Sequence, residues 1–191
     1  MLTVLVIDES RSRAGEICAG LALAGYQVAA ILAGSENLTA EVEKRQPDVI
    51  LIDTDSPSRD TLEHLAAMNK NMPRPVLIFT LEDGQTTIRD AVKAGVSAYI
   101  VDGLDPRRIK PIVEVARARF EDTQALRREL DEISQKLSDR KLVDKAKGVL
   151  MKARGIDEDA AYHAMRKLAM ERGQTMAKVA RDVIDMARVL L

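Results

Sequence analysis

The chain is poor in the residues that most often carry chemistry. It has one cysteine, Cys18, no tryptophan, two histidines, three tyrosines and two phenylalanines. A lone thiol excludes an intrachain disulfide and a cysteine-rich metal site. Cys18 falls in an apolar helical pattern and reads as a small packing hydrophobe. His64 and His163 lie far apart in helical patterns, and neither has a Ser or Cys partner nearby in sequence. No Gly-Lys-Ser/Thr loop offers a phosphate cradle, so the expectation is a protein that is not an enzyme. No apolar run approaches membrane-spanning length. The apolar start Met1-Leu2-Thr3-Val4-Leu5-Val6-Ile7 lacks a basic flank and stops at Asp8, which suits a buried strand rather than a signal peptide. A cytoplasmic location without a membrane partner follows as the expectation.

Nor is there an overall excess of one charge: 29 Lys and Arg stand against 30 Asp and Glu, a net of −1 over 191 residues. The charge is unevenly placed, however. Residues 1–119 carry 14 basic against 17 acidic residues (−3), residues 120–136 carry 3 against 5 (−2), and residues 137–191 carry 12 against 8 (+4). The basic excess sits at the C-terminal end, where a polyanion would seek it.

Short apolar runs alternate with helical patterns over the first 105 residues. Leu2–Ile7, Gln27–Leu32, Val49–Ile52, Val76–Phe79 and Ala98–Val101 read as five strands, and their continuous Val/Ile/Leu character suits a parallel sheet covered on both faces. Ile17, Leu21 and Ala24, then Leu62, Leu65 and Met68, then Ile88, Ala91 and Val92 supply helix faces, with Gly25 and Gly95 at C-cap positions. The expected fold is α/β, a doubly wound five-stranded parallel sheet whose site lies at the C-terminal strand edge. Pro106 opens the last helix of this domain, and nothing interrupts the helical pattern until Gly155. Within it Leu126, Leu130, Ile133 and Leu137 follow 4-3-4 spacing, about two heptads of coiled-coil seam. Two short helices follow, capped by Asp157 and Thr175. The first turns in Ala161, Met165, Leu168 and Ala169; the second Met176, Val179, Ala180, Val183, Ile184, Ala187 and Leu190. The expected division is 1–119, a linker helix 120–136, and a small all-α three-helix domain 137–191.

In the last domain Leu142, Ala146, Val149, Leu150 and Ala153 share one helical face, while Lys141, Lys145, Lys147 and Lys152 lie outside it and Gly148 opens space between side chains. The run Ala146-Lys147-Gly148-Val149-Leu150-Met151, followed by Ala161-Tyr162 and Met165-Arg166, resembles the ANTAR domain, a family that binds nascent RNA and prevents transcription termination. The resemblance implies an RNA face of Arg140, Lys141, Lys145, Lys147, Arg166 and Lys167 turned outward, Arg166 and Lys167 lining one groove with the lysines of the preceding helix. Tyr162 either stacks on a splayed base or closes the bundle. Lys152, Arg172 and Lys178 read as ordinary solvated charges.

The first domain resembles a response-regulator receiver, on Asp8-Glu9 after the first strand, Asp53 at the end of the third, Pro57 four residues beyond, and Thr80 ending the fourth. In that family the acidic pair holds Mg²⁺, the third-strand Asp accepts a phosphoryl group and Thr senses it. The resemblance therefore implies a possible Mg²⁺ site at Asp8, Glu9 and Asp53, although no cofactor is required. One position departs from the pattern: the family's fifth-strand Lys aligns with Asp102, followed by Gly103. Two like charges about 4 Å apart repel by about 4 kcal/mol at an effective dielectric near 20. The expectation is a pseudo-receiver that signals by protein contact. The alternative is a phosphorylation-controlled response regulator with a DNA-binding or protein-interaction helical output.

Receiver-like domain, long helix and ANTAR helices in this order resemble the AmiR/NasT family of antiterminators. Pro47-Asp48-Val49-Ile50-Leu51-Ile52-Asp53, Ala94-Gly95-Val96-Ser97-Ala98-Tyr99-Ile100-Val101, and Ala118-Arg119-Phe120 with Gln124-Ala125-Leu126-Arg127 are most similar to its NasT branch. That resemblance implies nascent leader RNA with paired hairpins as target, nitrate/nitrite assimilation genes as the output, a nitrate/nitrite-sensing protein as partner, and a homodimer when active.

Overall fold

The computed structural model of the chain describes residues 1–8, 13–101, 105 and 107–190. Two compact units divide it, Met1–Gln124 and Ala125–Leu191, with one helix running through the boundary.

The first unit is a five-stranded sheet. Strands β1 (Thr3–Asp8), β2 (Gln27–Leu32), β3 (Val49–Asp53), β4 (Val76–Thr80) and β5 (Ala98–Val101) stand in the order β2-β1-β3-β4-β5, all neighbours parallel. Side chains alternate across a strand, so each strand feeds two cores. Leu5, Ile7, Ile50, Ile52, Val76 and Ile78 pack with Leu38, Val42, Leu62, Leu65 and Met68 on one face. Val4, Val6, Val49, Leu51, Leu77 and Phe79 pack on the other with Ile17, Leu21, Ile109, Val113 and Ala116. The helices supplying these faces are α1 (Ala14–Leu23), α2 (Leu38–Arg45), α3 (Arg59–Asn71), α4 (Gln85–Lys93) and the start of α5 (Ile109–Arg154). The doubly wound parallel sheet expected from the apolar runs is the observed fold.

Some details differ from the pattern reading. Helix α2 has no counterpart in it, because only Leu38 and Val42 of its eight residues are buried. Val92 points to solvent at 61% exposure: α4 turns in Ala91, and Val92, one residue on, is rotated by about 100°. Pro106 lies outside the described residues. Gly25 and Gly95 do end α1 and α4, at φ +86° and +93°. At Gly95 a Cβ would also come within 2.6 Å of the Asn69 amide, so both conformation and space call for glycine.

In the second unit α5 continues to Arg154, followed by α6 (Glu158–Arg172) and α7 (Met176–Leu190). Both expected caps form: Ala160 N donates to Asp157 Oδ1 at 2.7 Å, and Lys178 N donates to Thr175 Oγ1 at 3.2 Å. Ala146, Met165, Ala169, Val179, Ala180 and Ile184 form the core, with Leu142, Leu150, Leu168, Met176 and Val183 packed against it. Ala153 is exposed, because the buried stripe of α5 ends with Leu150. Leu126, Leu130, Ile133 and Leu137 are 62%, 64%, 55% and 53% exposed, a stripe spanning about 60° of arc.

Candidate functional site

The acidic pocket lies where β1 and β3 end side by side: Asp8 and Asp53 are partners in the parallel register, and both are buried. Thr80, at the end of β4, is buried beside this edge. Its hydroxyl donates to the Asp55 carbonyl at 2.8 Å and accepts from Glu82 N at 3.1 Å, tying the β3–α3 turn to the β4–α4 turn. Tyr99, on β5, donates to the Glu82 carbonyl at 3.0 Å. Glu9 and Asp102, the other two residues expected here, lie outside the described residues.

Sequence reading did not foresee Arg13. Its Nε lies 2.9 Å from Asp53 Oδ2, and its Nη2 donates to Asp55 Oδ1 at 3.2 Å. The pattern gave no signal for this, because the contact joins the first strand–helix loop to the third. Burial pushes the Asp53 carboxyl above its ordinary range, Arg13 opposes this, and Asp8 and Asp55 reinforce it. An acid with a raised folded-state pKa costs stability once pH exceeds that value, and the cost vanishes below the unfolded value. Asp53→Asn is therefore expected to raise the melting temperature near neutral pH, with the gain shrinking as pH falls through the carboxylate range. A gain equal at both ends of a pH series of melting curves would show that ionisation is not its source.

Among the described residues no group of three His, Cys, Asp or Glu side chains is placed to hold a metal ion. Among the described residues, Arg13 is the cation seated on Asp53. Elsewhere, Ser35 Oγ lies 3.0 Å from His64 Nδ1 and 3.4 Å from Thr61 Oγ1, a contact that links the loop before α2 to α3.

The basic residues of the C-terminal unit divide by position around α5. At about 100° per residue, Lys141, Lys145, Gly148 and Lys152 occupy one arc, and Arg140, Asp144, Lys147 and Met151 another. Lys141, Lys145 and Lys152 are exposed, and none takes part in an ion pair among the described residues. A Cβ on Gly148 would meet nothing within 4 Å, so no internal packing calls for that glycine. Lys147 does not turn freely outward as expected. Its side chain is 15% exposed, and its Nζ lies 2.7 Å from both Asp144 Oδ1 and Glu158 Oε1. These two carboxylates hold the ammonium above its usual pKa, Asp144 foremost, and tie α5 to the first turn of α6.

On α6, Tyr162 is 40% exposed and packs edge-on to His163, with ring centroids 6.1 Å apart. Arg166 and Lys167 are exposed and line a shallow hollow with His163, Met170 and Glu171, all residues of α6. The groove that α5, α6 and α7 do share, about 460 Å³, is instead lined by Arg154 and Arg172 with Val149, Leu168, Val183 and Met186. Those two arginines end their helices, beyond the motif that drew attention to Lys147 and Arg166.

Residues 4–114 match the response regulator receiver domain family, and residues 131–184 match the ANTAR domain family. The transcriptional regulatory protein PdtaR of Mycobacterium tuberculosis is 29% identical over 161 residues, covering 84% of this chain and 78% of that protein. The nitrate regulatory protein of Klebsiella oxytoca is 35% identical over 83 residues, 44% of this chain and 21% of that protein. A CheY-like receiver domain from Methanospirillum hungatei superposes with a TM-score of 0.56 at 21% identity, covering 64% of this chain and 98% of its own, a likeness of fold. The chain belongs to the response regulator receiver family and carries an ANTAR domain as its output, the plan of the RNA-binding ANTAR antitermination regulators. No helix among the described residues is long and apolar enough to cross a membrane.

Proposed function

We propose that this regulator acts on nitrate/nitrite assimilation transcripts, binding paired hairpins in their leader RNA so that the terminator does not form. A nitrate/nitrite-sensing protein controls it, and the active form is a homodimer joined along Leu126, Leu130, Ile133 and Leu137. The observation that carries the RNA reading is the unpaired row Lys141–Lys145–Lys152 around Gly148. A helix-interior glycine costs about 1 kcal/mol relative to alanine. Here no internal contact explains it, whereas close approach of a phosphate backbone does. The nitrate reading draws support from the similarity to the Klebsiella oxytoca nitrate regulatory protein and from the NasT-like runs at 47–53 and 94–101.

Arg166 and Tyr162, four residues apart on α6, form a second contact with a forked donor and an exposed ring. A DNA-reading final helix is the weaker alternative, since α7 offers only Lys178, Arg181 and Arg188. Titrating the full chain against a two-hairpin leader RNA and against duplex DNA, over a range of salt, tests the proposal. Preference for RNA, with a log–log salt slope of several units at about −0.7 to −0.9 per phosphate contacted, is the expected result. Equal affinity for the duplex would remove it.

A further inference from the structure

We infer that Arg13 is the resident counter-cation of the Asp53 pocket, standing where a metal-dependent receiver would hold its divalent ion. Two observations converge on this. Asp53 is wholly buried, and a buried carboxylate needs a compensating charge. The guanidinium supplies it, with Nε at 2.9 Å from Asp53 and Nη2 at 3.2 Å from Asp55. The Arg13–Asp53 approach is an ion pair rather than a well-aligned hydrogen bond, and Asp53 Oδ1 has no hydrogen-bond partner among the described residues. The guanidinium therefore neutralises the pocket without saturating the carboxylate.

Arg13 is attached to the loop that leads into α1, so it is present at a fixed local concentration whatever the free-ion level. A divalent ion that binds Asp53 competes with the guanidinium for the charge of the carboxylate. The pocket thus keeps its geometry, and the turns joined through Thr80 keep theirs, without a metal ion. Electrostatic compensation of this kind suits a receiver that presents a constant surface to a protein partner.

The test is Mn²⁺ binding to the full chain, followed by the loss of the free-ion electron paramagnetic resonance signal. An arginine seated on Asp53 for about nine-tenths of the time weakens metal affinity about tenfold. Arg13→Gln should therefore bind Mn²⁺ at least about tenfold more tightly than the wild-type chain, and adding Asp53→Asn should abolish the gain. Arg13→Lys, which keeps the charge, should bind closer to wild type than to Arg13→Gln. Equal affinity of wild type and Arg13→Gln would overturn the inference. A second readout stands if Arg13→Gln does not fold: the urea midpoint of the wild-type chain should be the same with Mn²⁺ as with chelator. A midpoint that rises with Mn²⁺ would show that the metal, and not Arg13, is the natural occupant.

Discussion

Lys141→Ala with Lys145→Ala is expected to weaken leader-RNA binding by roughly 25- to 60-fold near 0.1 M salt, and to flatten the log–log salt slope by about 1.4 to 1.8 units. Each phosphate contact releases about 0.7 to 0.9 of a counterion, which at that salt is roughly five- to eightfold in affinity. Both lysines are exposed and unpaired among the described residues, so removing them leaves no buried acid behind. Helical content by circular dichroism should not change, since alanine favours a helix.

Lys147→Ala makes the internal control. Its ammonium is already shared by Asp144 and Glu158, so bringing it to a phosphate would break two ion pairs. The expected result is an unchanged salt slope together with a lower melting temperature, because α5 and α6 lose their tie. If Lys147→Ala instead reproduced the loss seen with the Lys141 and Lys145 pair, the division of α5 into a reading arc and a structural arc would be wrong.

Periodicity and charge placed much of this protein before any coordinates. A parallel strand buried on both faces leaves a continuous Val/Ile/Leu run, so all five strands were visible to within a residue or two. Asp157 and Thr175 were legible because a helix N-terminus leaves amide donors that a short polar side chain satisfies. Helix α2 was not, since two buried residues cannot raise a periodic signal. The site was less legible than the fold, for a physical reason. A charge of either sign looks the same in a sequence whether it faces water or a partner, and only tertiary contacts pair Arg13 with Asp53 or Lys147 with Glu158. Asp144, three residues before Lys147, was the one local hint that this lysine is occupied.

Leu130→Glu with Ile133→Glu is expected to turn the proposed dimer into a monomer while leaving each chain folded. The seam stripe is more than half exposed at all four positions and packs in neither core of its own chain, so its apolar surface is available to a second copy. A symmetric pairing would bury these two residues twice, and four such side chains at about 1.5 to 3 kcal/mol each represent about 6 to 12 kcal/mol. Even half of that corresponds to roughly 10² to 10⁴ in the dissociation constant, before counting repulsion between the new carboxylates. Light scattering on the wild-type chain and the variant, with and without RNA, measures it. The seam arc continues along α5 into Arg140, Asp144, Lys147 and Met151, and the arc of Lys141, Lys145 and Lys152 lies beside it. Pairing along the seam would therefore leave both lysine rows open, one for each hairpin. The monomeric variant should still bind one hairpin with intact local contacts while losing the added affinity for two. A variant that stayed dimeric, or one that bound two linked hairpins as tightly as wild type, would take the seam out of the RNA-binding mechanism.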